Sequence, residues 1–467
     1  MMRSLYSGVA GLKTHQTKMD VIGNNIANVN TTSFKSQSIT FSDLMYQTSQ
    51  TASGATETKG GVNARQIGLG AKSGAINTAI TSQGATQTTN NPFDIMITGN
   101  SFFIVNDGSK NLYTRDGAFY VDGAGNLAMQ SNGYLVQGWV AQEDPDTGEI
   151  KINKNVSIQS LQIMSADNST YSPASTTAAL FSGNIDDNDS NVLSDDGKTV
   201  TLEFYDNKGY LYTGKFILKD IDNTPHQFTL ELNEIIDANG DKLDANLMNG
   251  ITFGNGGKTI TLAFDAATGS LTSADGNANG LVDIVFDNDG NPAGLEAFGY
   301  QPINNDADEL AKRGRLTVDF STVTNYNTHG ASTIKAVKGD KKSLNTGRAV
   351  GEMNGISIST DGQIYATYSN GQTKLLGQIA SAQFANASGL SKEGDNLYTS
   401  TLNSGEAAVQ DITTDGGYMN TGVLEMSNVD LSSQFTEMIT TQRGFQANSR
   451  IITVSDTLLE ELTNLKR

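Results

Sequence analysis

The sequence predicts an α+β protein: long terminal α-helices forming a coiled-coil-like inner domain, with two or more antiparallel β domains nested between them. Three observations carry this. Apolar residues recur with heptad spacing at both ends of the chain, the middle switches to a period of two, and Asp/Asn/Gly turns separate the period-two stretches. At 467 residues the chain is too long for one ordinary core, and length alone implies about two to four domains.

In the first segment Leu5, Leu12, Met19 and Ile26 recur every seventh residue, and Val9, Ile22 and Val29 fill adjoining positions on the same face. This spacing makes an amphipathic helix. It ends in NNIANVN, where Asn tolerates the left-handed conformation that closes helices. At the far end Leu431, Met438, Phe445, Ile452 and Leu459 recur every seventh residue, joined by Phe435, Leu458, Leu462 and Leu465. Neither helix has a helical neighbour in sequence, so each must bury its stripe against a distant partner. Residues 40–74 are rich in Gly, Ser, Thr, Gln and Ala and read as an extended connection.

Farther on, KTVTLEFYD, QFTLELN and KTITLAFD alternate apolar and polar residues as half-buried strands do. DNKG, DGAGN, DNDGN and SNGQ supply the turns between such strands. Charge is uneven: residues 166–333 hold twenty-five Asp/Glu against nine Lys/Arg, so most of the net −19 lies there, as suits a solvated unit. Residues 1–35 carry Arg3, Lys13, Lys18 and Lys35 against Asp20, whereas the last helix carries Glu437, Asp456, Glu460 and Glu461. The two ends are therefore partly complementary.

An excess of acid disfavours nucleic acid and anionic membrane surfaces, both of which are bound through Lys/Arg. Without cysteine there is no disulfide, thiolate nucleophile or Cys-ligated zinc. No stretch is long and apolar enough for membrane insertion, and the start lacks the apolar core of a secretory signal. His15, His226 and His329 stand far apart, outside any metal or triad motif. FGNGGKT lacks the first Gly of a phosphate loop, where Thr252 stands, and reads as a hairpin turn. NIDDNDSN and DNDGN resemble calcium loops only superficially, since none has Gly at the sixth and Glu at the twelfth position. With Trp139 the sole tryptophan, a sugar-binding cleft is unsupported. No enzyme, metal or cofactor is expected.

Several blocks resemble the bacterial flagellar axial family of rod, hook and hook-associated proteins. NNIANVNTTSFK, from Asn24 to Lys35, is similar to its N-terminal signature through Asn24, Asn25, Ala27, Asn28, Asn30, Thr31 and Phe34. RGFQANSRIITVSDTLLEELTNLKR, from Arg443 to Arg467, is similar to the C-terminal one through Arg443, Gly444, Gln446, Ala447 and Asn448. NPFDIMITGNSFFIVNDGSKNLYTRDGAFYVDGAGNL with GYLVQGW, and GISISTDGQIYATYSNGQTKLLGQIASAQFANASGL with NLYTSTLNSGEA, resemble two halves of a β domain shared by hook and distal-rod subunits.

The resemblance implies residues 1–35 with 424–467 as a helical assembly domain, 36–74 as a linker, 75–165 with 334–423 as the shared β domain, and 166–333 as an acidic insertion. Such an insertion favours hook over distal rod or another axial subunit. It further implies a homopolymer, a flexible tube passing torque from rod to filament. Implied partners are the rod, a hook cap, the hook–filament junction proteins and the flagellar export apparatus, which would carry the chain to the cell exterior without a Sec signal. A surface adhesin, the alternative from another class, has no need of matched heptads at both termini.

Overall fold

A computed structural model of the chain describes residues 2–143, 150–221, 224–243, 248, 251–254, 257–286 and 315–464. The expected α+β class, with its coiled-coil-like inner domain, is corrected. Among the described residues strands hold 44% and helices 17%, so the chain is mainly β with one long helix at each end. The heptads made the helices conspicuous in the sequence, but they span only Met2–Ala27 and Leu431–Asn464. Much of the remaining chain pairs as strands, including Thr/Ser/Gln-rich stretches whose polar alternation gives no apolar signal.

The N-terminal helix closes where Asn28 donates back to the Asn24 carbonyl (2.9 Å) and Ser33 takes a left-handed φ of 54°. The C-terminal helix starts at a capping aspartate: Asp430 Oδ1 accepts from the Ser432 (2.9 Å) and Ser433 (3.4 Å) amides. The stretch 36–74, expected as an extended connection, belongs to an antiparallel ribbon that runs over 37–78. Gln37–Asp43 pairs with Ala71–Thr78, and Tyr46–Gln50 pairs with Arg65–Gly68. The ribbon leans on the N-terminal helix, with the His15 and Phe41 ring centres 6.0 Å apart. Gly70, at φ 123°, lies so close to Ala10 that a Cβ there would stand 3.0 Å from the alanine methyl.

Two compact units divide the chain: residues 1–165, 356–366 and 374–467 in one, 166–355 and 367–373 in the other. In the first, strands Leu135–Glu143, Phe102–Asn106, Asn111–Thr114 and Leu397–Thr399 are neighbours in an antiparallel sheet. Its core gathers Phe102, Ile104, Trp139, Phe384 and Tyr398, so Trp139 is a core residue and not an exposed platform.

The second unit packs two five-stranded sheets over one core. The alternation in KTVTLEF places Val200, Leu202 and Phe204 inside, and Phe228, Leu230, Ile260, Leu262 and Phe264 join them. One pairing departs from a wholly antiparallel pattern: Ala178–Asn184 runs parallel to Arg315–Thr324. A parallel pair needs a long crossover, here the entire second sheet, and no local sequence pattern reports it.

Candidate assembly site

The two chain ends meet as an antiparallel helix pair. Ser4 faces Ser455 (3.5 Å between hydroxyls), Lys18 pairs with Glu437 (3.1 Å), and Asn25 donates to Gln434 (3.0 Å). Between these contacts the helices touch through small residues. A Cβ on Gly11 would stand 2.5 Å from Asn448 Nδ2, one on Gly444 2.7 Å from His15 Cε1, and one on Gly8 3.3 Å from Ile452 Cγ1. Thr14, Thr441 and Ser455 are buried alongside.

Because glycine, serine and threonine make this seam, much of the apolar surface stays outside it. Of the heptad set, Ile22 is buried; Leu5, Leu12, Met19, Ile26, Val29, Met438, Phe445, Ile452 and Leu459 are half-buried; Val9, Leu431, Phe435 and Leu462 are exposed. Leu465 lies outside the described residues, as do the DNDGN turn and the last two residues of the C-terminal signature. Periodicity missed the exposed Tyr6, Ile439, Ile451 and Val454, which stand off the sevenfold register. It missed the glycine seam as well, for which Gly8, Gly11 and Gly444, three of the four glycines in the two helices, were the available signal.

The N-terminal signature builds the junction between helices and sheet. Asn25 is buried: its Nδ2 donates to the Gln37 carbonyl (2.8 Å) and its Oδ1 accepts the Gln37 amide (2.9 Å), turning the chain from helix into ribbon. Thr31 Oγ1 donates to Asn28 Oδ1 (3.1 Å), and Thr32 Oγ1 to Asp116 Oδ2 (3.2 Å). Burial pushes the Asp116 carboxyl up from its ordinary value. Phe34 is buried, with the Lys392 ammonium 4.9 Å from its ring centre. Asn24, Ala27, Asn30, Arg443, Gln446 and Ala447 are exposed, whereas Gly444 and Asn448 lie in the seam.

Beneath the signature lies a fully buried ionic cluster that no motif announced. Lys35 Nζ donates to Glu425 Oε1 and to the Ser82 carbonyl, both at 2.7 Å. Arg115 Nε donates to the other Glu425 oxygen at 3.2 Å, and its terminal nitrogens to the Gly99 (2.8 Å) and Ile97 (3.1 Å) carbonyls. The Gly84 amide completes the Glu425 shell at 2.9 Å. Desolvation lowers the Lys35 pKa against the opposing pull of Glu425, and burial pushes the neighbouring Tyr398 phenol up to about 12.

Elsewhere the polar residues serve structure. Asp186 accepts the Asn188 (2.9 Å), Thr328 (2.6 Å) and Gly330 (2.9 Å) amides. Asp189 accepts the Asn191 amide (3.0 Å), the Ser332 amide (2.9 Å) and Lys198 Nζ (3.1 Å). Asp186 and Asp189, two of the three carboxylates of the calcium-like NIDDNDSN stretch, are thus held by donors of the chain itself, and Asp187 Oδ1 accepts from Asn325 Nδ2 (2.8 Å). His226 Nδ1 lies 3.0 Å from Asp187 Oδ2 and 3.0 Å from Asn325 Oδ1. Around FGNGGKT the Phe253 amide donates to the Gly257 carbonyl (2.8 Å), as in a turn. A cleft of about 400 Å³ in the second unit has Arg348 in its lining, but that guanidinium already covers the Tyr171 ring at 4.7 Å. Among the described residues no helix is long and apolar enough to cross a membrane, and no three His, Asp or Glu side chains cluster as a metal site would require.

A β body that carries both chain ends as one helix pair, with apolar side chains left outside the pair, defines a structural subunit. Three family models match in the order of the chain. "Flagella basal body rod protein" covers residues 5–35, "Flagellar hook protein FlgE/F/G D1 domain" residues 96–166, and "Flagellar basal body rod FlgEFG protein C-terminal" residues 420–465. The flagellar hook proteins FlgE of Treponema pallidum and of Borreliella burgdorferi are each 37% identical over the full length of both chains. The flagellar basal-body rod protein FlgG of Bacillus subtilis is 29% identical, again over the full length of both. The 37% identity to these two hook proteins exceeds the 29% to the rod protein and agrees with the hook reading. The chain belongs to the flagellar hook protein FlgE family, and it is a structural subunit of the flagellar hook.

Proposed function

We propose that the subunit polymerises laterally through its terminal helix pair into a flexible tube that carries torque from rod to filament, without catalytic activity. The supporting observation is the division of labour on the helices: glycine and small polar residues join them within one chain, while Val9, Phe435, Ile439, Val454 and Leu462 stay exposed. Identical contacts of this kind that do not close into a ring generate a helical polymer. Helices in proteins owe most of their stability to packing of an amphipathic face and little to intrinsic propensity, so both ends complete their burial only between subunits, and helix formation and assembly are one event. The second unit, which carries the acidic insertion that begins at residue 166, shapes the polymer without being needed for its existence. The rod, the hook cap and the hook–filament junction proteins are the neighbours, and flagellar export delivers the chain outside the cell.

Sedimentation and electron microscopy of the purified chain under polymerising salt test this. Tubes are expected from the full chain and none from a chain lacking residues 431–467. Tubes from the truncated chain would overturn the assignment.

A further inference from the structure

The Lys35–Glu425–Arg115 cluster joins three segments far apart in sequence: the end of the N-terminal signature, a core loop of the β body, and the strand leading to the C-terminal helix. Side chains of all three are about 1% exposed or less. A buried ion cluster is a poor source of net stability, because desolvating its charges offsets most of their attraction, but it is strict about geometry. The geometry here is complete. Both Glu425 oxygens are engaged, Lys35 has two acceptors, and Arg115 has three. Backbone contacts run alongside, with the Ser33 amide donating to the Glu425 carbonyl (2.8 Å) and the Asn428 amide to the Phe34 carbonyl (3.3 Å).

We propose that Glu425, clasped by Lys35 and Arg115, is the positioning residue that anchors both ends of the chain to the β body. This rests on the assembly reading above. Residues 33–35 and 424–426 then belong to the preformed body, and the helices beyond them order from a fixed point on each side. Every subunit presents its helix pair to its neighbours at the same angle. The bending of a hook falls on contacts outside this junction.

Hydrogen exchange of the full-length soluble subunit, read segment by segment, tests the anchor. In the wild-type chain, amides 33–35 and 424–426 are expected to be as protected as the Trp139 strand. Lys35→Met leaves the Glu425–Arg115 pair in place and removes only the N-terminal clasp. It should cost residues 33–35 roughly tenfold or more in protection while the unfolding reported by Trp139 fluorescence stays unchanged. Its tubes should need a higher subunit concentration and be less regular. Lys35→Arg, which keeps the charge, should restore both. The proposal is overturned if Lys35→Met leaves 33–35 protected, or if the Trp139 transition falls in step with them, since the cluster would then be ordinary core. Wild-type chains that never form tubes would sink the assembly reading and leave the comparison of soluble chains intact.

Discussion

Gly11 of the N-terminal helix lies against the Asn448 carboxamide of the C-terminal helix, so close that a methyl group on Gly11 would stand 2.5 Å from Asn448 Nδ2. Asn448 is a flexible side chain and can yield to one methyl group. Gly11→Ala should therefore leave assembly nearly unchanged, the better helix propensity of alanine, about 0.5–1 kcal/mol, offsetting the crowding. Gly11→Leu cannot be absorbed that way. It should force the helices apart and raise the subunit concentration needed for assembly about tenfold or more, measured by sedimentation.

Phe435 is 50% exposed on the C-terminal helix. In the free subunit Phe435→Asp should be close to neutral, within about 0.5 kcal/mol by thermal melting, as surface substitutions usually are. Between subunits the same carboxylate would be buried without a partner, which is strongly unfavourable. Tubes should be lost with the β body intact. Normal tubes from this variant would remove Phe435 from the interface.

Asp186 is held down at about 2 by the amides around it, and Asp189 lies well below the usual carboxylate range. A depressed folded pKa contributes stability that is fully present above the unfolded value of 3.8 and is lost as pH falls through the folded one. The second unit should therefore melt at a constant temperature above about pH 5 and lose stability steadily between about pH 4 and 2, followed by circular dichroism. Asp186→Asn should lower the neutral-pH melting point and flatten that slope. Trp139, which lies in the other unit, should not report the change.

A fragment of residues 166–355 should fold alone and melt cooperatively. Ending it at residue 333 would remove the strand Lys335–Lys338 that pairs with Ala178–Asn184, and with it the buried Ile334. The shorter fragment should be less stable by about 2 kcal/mol or more, the scale of losing a buried aliphatic side chain and its neighbours. Equal urea midpoints for the two would argue against this boundary.

Both terminal helices were legible because each has a face repeating every seventh residue, and the strands of the second unit because Val200, Leu202 and Phe204 alternate with polar neighbours. Both signals are local, set by 3.6 residues per helical turn and two per pleat. The 37–78 ribbon was not legible as strands. Its alternation is polar, and its support comes from Ala10 and His15 on a helix outside the segment.

The sequence by itself determined the helix-bearing ends, the strand-rich acidic middle and, through its signature blocks, the flagellar family, since each of these is written in neighbouring residues. Only the tertiary structure decided that the chain is mainly β, that the intrachain helix seam is glycine and not a heptad stripe, that one strand pair is parallel, and that Lys35, Arg115 and Glu425 form a single cluster. Each of those depends on which distant residues come within a few ångströms of one another. Steric fit at Gly8, Gly11 and Gly444, and the high cost of leaving a desolvated charge unpaired at Glu425, act only once the chain has closed on itself.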